Sequence, residues 1–495
     1  MGAYVLALDQ GTASSRALLF NQEQHVLGIA QKEVSTRYPQ EGWVEQDPME
    51  IYESQYTVMM ELLKKQRVSL NEITAIGLAN QRETTILWDR QTGRPLYNAI
   101  LWQCRRTAPL VDRLIRDGLG DPIRKTTGLV PDAYFSGTKI AWLLDHLEGS
   151  RARARRGEIL FGTVDTWLIW NLSGGEVHAT DYTNASRTML YNIHTRQWDA
   201  ELLAALDIPQ AMLPEVKPSG SFFGMARLPG AALPLAGNAG DQQAALFGQC
   251  CFTPGEVKNT YGTGCFLLMH TGNRAVASQN GLLTTLAAGL DDQLQYALEG
   301  SVFVGGAVIK WLRDELGLIS LSEQAGEYAR QVPNTGGVYL VPAFTGLGAP
   351  HWDMYARGAI LGISRGTTRA HIIRAAEEAI AYQSLEVMQA MEKDTGIPLR
   401  VLKVDGGASG DDFLMRFQAD ITGAVIRRPV VRETTALGAA YLAGITRGFW
   451  RDAEEVRSQR KEDATFTPRM DRPTREALIA GWRQAVERVR SSPQA

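Results

Sequence analysis

Two segments of this 495-residue chain repeat one pattern. Tyr4-Val-Leu-Ala-Leu8 runs into the polar stretch Asp9-Gln-Gly-Thr-Ala-Ser-Ser15, and Arg16-Ala-Leu-Leu-Phe20 follows. Val257-Lys-Asn-Thr-Tyr261 runs into Gly262-Thr-Gly264, and Cys265-Phe-Leu-Leu-Met269 follows. Each reads as an apolar strand, a Gly-Thr turn and a second strand. Gly11 and Gly262 stand 251 positions apart, close to half the chain. Length alone, at ~150 residues per domain, gives roughly three domains. A match at half-length favours two similarly built halves instead, residues 1–248 and 249–495.

Strands and helices alternate along both halves, which predicts an α/β fold. A helix should start at Asp47-Pro-Met-Glu50: Asp caps, Pro takes the first helical position, and Glu stands three residues after the cap. Strand Ile73–Ala79 follows and ends in Asn80-Gln-Arg-Glu83. A long helix is expected over 368–395, carried by Ile372, Ile373, Ala376, Ile380, Val387 and Met391 and stopped by Gly396 and Pro398. Val401-Leu-Lys-Val-Asp405 leads into a third glycine turn, Gly406-Gly-Ala-Ser-Gly410.

Charge and cysteines narrow the class. The net charge of -3 argues against a nucleic-acid partner, and the one dense basic run, Arg151 to Arg156, reads as a solvated helix face. Four scattered cysteines form no C-x-x-C pair, and the histidines form no zinc pattern. No 18-residue apolar run exists and the first residues lack a signal-peptide pattern, so a soluble, cytoplasmic protein with no membrane insertion is expected.

The three glycine turns carry the first chemical signal. The P-loop and the dinucleotide G-x-G-x-x-G pattern are both absent. Successive backbone N–H groups in a glycine turn still make a concave anion site. Asp9, at a strand end beside the first turn, is suited to hold Mg²⁺ directly or through water. In Gly237-Asn-Ala-Gly-Asp241 the glycines run into a helix start. Asp241 is there either a helix cap or a general base for a substrate hydroxyl. Arg82 and Glu83 together offer donors and acceptors for the hydroxyls of a small polyol, or form a plain surface ion pair. Trp102, Tyr134 and Phe266 are walls for a carbon chain, or ordinary core.

At these residues the sequence resembles the FGGY carbohydrate kinases, almost end to end. The resemblance rests on Ala7–Arg16, Asn80–Thr85, Trp102–Arg106, Tyr134–Lys139, Phe161–Trp170, Asp181–Arg187, Ala239–Ala245, Asn259–Phe266 and Pro342–Pro350, and on two family signatures beginning at Tyr134 and Gly358. It implies an actin-like ATPase fold of the ribonuclease-H-like type: two similar α/β domains flanking a cleft. It also implies transfer of the ATP γ-phosphoryl group to a polyol. The Arg82-Glu83 pair and the Trp102 segment point to the glycerol-phosphorylating members.

In that carry-over Asp241 is the base. Arg82, Glu83, Trp102, Tyr134, Asp241, Gln242 and Phe266 hold glycerol. Thr12, Ala13, Ser14, Arg16, Thr263, Gly306, Lys310, Gly407 and Asp411 fall at nucleotide positions, with Asp9 at the Mg²⁺. Three of these depart from the common pattern: Ala13 stands for a threonine, Lys310 for a glutamine and Asp411 for an asparagine. Leu228-Pro-Gly-Ala-Ala-Leu-Pro234 lacks the glycine-rich, arginine-containing loop with which some bacterial members bind fructose 1,6-bisphosphate, which argues against that effector. A homo-oligomer, dimer or tetramer, is the remaining implied partner. The alternatives are a family kinase for another polyol or ketose, and an actin- or chaperone-like conformational ATPase.

Overall fold

The computed structural model describes residues 2–491. Its first sheet is built from β1 (Tyr4–Gln10), β2 (Ser14–Phe20), β3 (Val26–Glu33), β4 (Ile73–Asn80), β5 (Gly224–Leu228) and β6 (Ala231–Gly240). Their spatial order is β5-β6-β4-β1-β2-β3. The second sheet holds β7 (Val257–Tyr261), β8 (Cys265–Gly272), β9 (Leu283–Leu286), β10 (Tyr296–Val302), β11 (Val401–Asp405), β12 (Val425–Pro429) and β13 (Glu462–Phe466), in the order β9-β10-β8-β7-β11-β12-β13.

The two sheets share one plan. On one side of β1 lie two antiparallel strands, β2 and β3; on one side of β7 lie antiparallel β8 and β10. On the other side β1 meets two parallel strands and an antiparallel edge, β4, β6 and β5; β7 meets β11, β12 and β13 in the same senses. Only β9 is extra. The half-length repeat is therefore a repeat of topology, and both Gly-Thr turns are the tips of equivalent hairpins. The strand runs are apolar because they are covered on both faces; Val5, Leu6, Ala7 and Leu8 are all fully buried.

Helix α1 (Pro48–Gln66) begins as expected, with Asp47 Oδ1 accepting from the Met49 N–H at 2.9 Å. Its reciprocal partner differs. Glu50 accepts from the Ser35 N–H at 2.8 Å rather than from the cap, because the chain preceding the helix supplies a nearer donor. The long helix covers Arg369–Thr395, and Gly396 ends it at φ 72° in the left-handed region.

Helix Thr434–Thr446 follows β12 in sequence but packs on the first sheet. Ala436, Ala439, Ala440 and Ala443 lie against Val5, Ala7, Ala75 and Ala79. Glycines make that approach possible. A Cβ on Gly77 would stand 2.1 Å from the Ala439 carbonyl oxygen, and one on Gly237 2.5 Å from the Ala443 nitrogen. Gly438 meets helix Asp241–Gly248 the same way, its Cβ position 1.8 Å from the Ala244 carbonyl oxygen. Part of the glycine content thus serves close packing around the element that carries Asp241. Among the described residues, no helix is long and apolar enough to cross a membrane.

Candidate active site

Strands β1, β4 and β6 are parallel neighbours, and Gln10, Asn80 and Gly240 stand in register at their carboxyl ends. The segments that leave them, Gly11–Ser14, Gln81–Glu83 and Asp241–Gln242, therefore emerge side by side. Strands β7 and β11 are paired likewise, with Thr260 opposite Asp405, and release the other two glycine turns. Ligands of open parallel sheets bind at this edge. Side chains of the second sheet reach the first half here: Lys258 bonds Gln242, and Glu299 bonds Arg82.

Arg82 and Glu83 are not a surface ion pair. They are 3% and 1% exposed, and their side chains lie 3.8 Å apart. Each has a closer partner. Arg82 donates both Nη groups to Glu299, at 2.6 and 2.8 Å, and one also to Gln243 Oε1 at 3.1 Å. Glu83, in the left-handed region at φ 62°, accepts from Arg187 Nε at 2.6 Å. Arg187 closes the circuit to Glu299 at 3.2 Å. The result is a buried alternation of two guanidiniums and two carboxylates, with Asp241 beside Arg82 Nε at 3.2 Å. Burial opposes the charge on Glu299, yet Arg187 and Arg82 outweigh it and hold the carboxyl down at about 2. On Glu83 burial wins over the same two arginines and raises the carboxyl.

Asp241 opens helix Asp241–Gly248, but Gly240 is the residue at the cap. Its carboxylate accepts from the Gln242 N–H at 2.8 Å, from Gln242 Nε2 at 3.2 Å and from Arg82. The side chain stays 30% exposed. Burial raises its pKa against the pull of Arg82 and Gln242. A carboxylate with a raised pKa and an open face is chemically a better base than an ordinary aspartate.

The aromatic walls gather beside this cluster. Trp102 and Tyr134 rings meet edge to face at 5.6 Å, and the Arg187 guanidinium lies 5.6 Å from the Tyr134 ring. Trp102 Nε1 donates to the Thr12 hydroxyl at 2.9 Å, and that hydroxyl donates to Gln81 Oε1 at 3.2 Å. Thr12, expected at the nucleotide, is thus tied to Trp102 and Gln81. Phe266 lies on β8, half-buried.

The other turn residues form a second group. Ala13 is exposed, and Ser14 Oγ accepts from Gln31 at 3.1 Å. Arg16 bridges Asp9 and Glu433. The Thr263 carbonyl accepts from the N–H groups of Gly305 (2.8 Å) and Ala307 (3.1 Å), and the Gly262 carbonyl from that of Gly306 (2.9 Å). These bonds join the turn to the start of helix Ala307–Asp314, where a Cβ on Gly306 would sit 3.9 Å from the Ala408 Cβ. At Gly407 a Cβ would meet nothing within 4 Å, so this turn borders open space. Lys310 is exposed on the same helix. Asp411 caps helix Asp412–Thr422, accepting from the Phe413 N–H at 2.6 Å. Of the segment 228–234 only Pro229 and Gly230 form the tip between β5 and β6, and the rest is paired strand.

Asp9 fits a hydrated divalent cation rather than a closed protein cage. Among the described residues, no three or more His, Cys, Asp or Glu side chains converge on a metal position. One Asp9 oxygen is taken by Arg16. A single remaining carboxylate oxygen suits Mg²⁺, which commonly keeps waters and takes substrate phosphates as its other ligands.

Arg187, Lys258 and Glu299 escaped the sequence reading as site residues. For two of them a signal was present: Lys258 and Glu299 are charges inside the strands β7 and β10, which are buried along nearly their whole length, and a buried charge requires a partner.

Comparison with known proteins agrees with this geometry. The N-terminal domain model of the FGGY family of carbohydrate kinases matches residues 4–248, and its C-terminal domain model matches residues 257–447. A glycerol kinase of Fusobacterium nucleatum is 60% identical over 491 residues, covering 98% of this chain and 99% of that protein. Glycerol kinase 2 of Pseudomonas aeruginosa is 58% identical, covering 98% and 97%. The crystal structure of Plasmodium falciparum glycerol kinase with ADP superposes with a TM-score of 0.91 at 38% identity, covering 99% and 98%. With both domain models matched in order and the whole length shared, the chain belongs to the FGGY family of carbohydrate kinases and has its two-domain actin-like ATPase fold.

Proposed function

We propose that this chain is an ATP-dependent kinase that converts glycerol to sn-glycerol 3-phosphate. The observation that carries this reading is the open Asp241 carboxylate beside buried Arg82 and Glu83, with Arg82 Nε facing it and only one Glu83 oxygen taken, by Arg187. Near-60% identity to glycerol kinases over the full length supports the choice of glycerol. Arg82, Glu83, Tyr134 and Gln242 hold the hydroxyls, and Trp102 and Phe266 lie along the carbon face. Asp241 accepts the proton of the 3-hydroxyl as its oxygen attacks the γ-phosphorus; the bond to the β,γ-bridging oxygen breaks, and ADP leaves. Thr12, Ser14, Arg16, Thr263, Gly306, Lys310, Gly407 and Asp411 border the nucleotide, with Ala13 contributing backbone only. A divalent cation, when bound by Asp9 and the phosphates, offsets charge on the β- and γ-oxygens. Residues 1–248 act as the polyol half and 249–495 as the nucleotide half. Closure of the halves keeps water from the γ-phosphoryl group.

A coupled assay of ADP release tests this with and without glycerol, alongside dihydroxyacetone, erythritol and xylulose. ATP consumption should depend on glycerol and be highest with it. Equal consumption without any polyol would overturn the kinase reading. Preference for xylulose would overturn the substrate.

A further inference from the structure

Lys258 is a buried lysine inside β7, pointing from the second half toward the polyol residues of the first. Its ammonium has three protons and three acceptors. Nζ donates to Gln242 Oε1 at 2.6 Å, to the Thr260 hydroxyl at 2.8 Å and to the Phe266 carbonyl at 3.3 Å. Two of those three partners belong to residues assigned above to glycerol. Nothing in the kinase chemistry needs Lys258 to touch substrate, so its burial has to be explained by what it holds.

The glutamine side chain supplies the explanation. An amide has a carbonyl end that only accepts and an NH₂ end that only donates. An ammonium only donates, so the end of Gln242 that faces Lys258 must be the carbonyl. The NH₂ end is then turned toward Asp241, where Nε2 stands 3.2 Å from Oδ2. Without the lysine, either end of the amide could face the carboxylate, and the carbonyl end would repel it. On β8 the same ammonium ties down the backbone of Phe266, the apolar wall.

We propose that Lys258 is a positioning residue for the polyol site, fixing the direction of the Gln242 amide and the seat of Phe266 from the opposite half. This rests on the glycerol kinase reading. Burial draws the Lys258 ammonium down to about 8, while Asp405, Asp241 and Glu299 draw it up. Three acceptors around Nζ, one for each proton, match the ammonium form. The geometry also makes the polyol site depend on the nucleotide half: the amide that faces the base is aimed by a strand whose end carries a nucleotide turn.

The test is steady-state kinetics of the full chain with glycerol and ATP, comparing K258M, Q242M and the double variant. K258M should raise the glycerol KM about tenfold, a coupling of ordinary size for residues in one network, while leaving the ATP KM within twofold. Because Lys258 acts in part through Gln242, the loss in the double variant should be smaller than the product of the two single losses. K258Q, which keeps hydrogen-bonding capacity in the buried space, serves if K258M melts early, and should show the same glycerol-selective loss. An unchanged glycerol KM, an equal rise in both KM values, or fully multiplicative losses in the double variant would each overturn the proposal. An unsubstituted chain that shows no glycerol-dependent ADP release overturns both this inference and the functional reading. An active unsubstituted chain with unaffected variants overturns the inference alone.

Discussion

Glu299→Gln isolates the contribution of the charge circuit. Glu299 is fully buried and receives two Nη donors of Arg82 and one of Arg187. The substitution keeps shape and one acceptor, but it removes the charge and turns an NH₂ group toward guanidinium donors. Two estimates of the cost agree. Removing one partner of a buried ion pair typically costs about 3–5 kcal/mol. Holding the carboxyl at about 2 instead of its ordinary 4.5 corresponds to ~3 kcal/mol in favour of the ionised form. Because the native value lies below the unfolded one, this stability is complete above about 4.5 and is lost as the pH falls toward 2. The variant should therefore melt several degrees lower at pH 7, and the difference from the parent should shrink below pH 4. Thermal unfolding by circular dichroism across that range measures it. Kinetics should show a raised glycerol KM, since Arg82 loses the clamp that aims its Nε at Asp241. Equal melting temperatures at pH 7 together with an unchanged glycerol KM would refute the circuit as an organiser of the site.

Two further outcomes follow from the same geometry. Asp241→Asn should lower kcat by about 10²–10⁴, the usual weight of a general base, with ADP affinity retained by calorimetry. In the parent, activity should fall as the pH drops through a value above the ordinary 3.8 of aspartate, because burial raises Asp241, and that limb should be missing from the variant's residual rate. Gly438→Ala places a methyl group 1.8 Å from the Ala244 carbonyl oxygen, which only a backbone shift can relieve. A cost near ~3 kcal/mol, the upper part of the overpacking range, is expected in thermal melts. Since Ala244 lies in the helix that begins with Asp241, kcat should fall as well, and a variant with parental melting and kcat would show that the packing does not position the base.

The backbone plan was legible because its signals are local. Apolar runs between glycine turns mark strands, and Gly396 with Pro398 marks the end of the long helix. Asp241 was legible for a similar reason, since glycines followed by an amphiphilic start announce a strand-to-helix corner. The partners that give these residues their chemistry were not. Arg82 and Glu299 are 217 positions apart, and Gln242, at the start of a helix, reaches Lys258 on β7, 16 positions on. No local pattern encodes that pairing. Arg82 beside Glu83 even suggested the wrong pair, since the neighbours in sequence are each bound more closely to a partner from elsewhere. The Glu50 cap failed on the same principle: a tertiary donor, Ser35, outcompeted the local one.

One plan used twice has been given two different chemistries. In the first sheet the carboxyl edge releases, beside the Gly11–Ser14 turn, Gln81–Glu83 and Asp241, charged and polar groups suited to a neutral polyol. In the second the equivalent edge releases Gly262–Thr263 and Gly406–Gly407, bare backbone suited to anions. Two charges of the second sheet, Lys258 and Glu299, stand instead inside the strands themselves. Lys258 and Glu299 stand in one row across β7, β8 and β10, each aligned with Leu268, so both project from the same face. That face meets Gln242 and Arg82 of the first half. Of the buried charges around Arg82, those of Glu83 and Asp241 are answered from within the first half by Arg187 and Arg82, and only Glu299 reaches them from the second. If the second half supports the polyol residues in this way, loosening the halves should weaken glycerol binding before it weakens ADP binding, which calorimetry with each ligand measures.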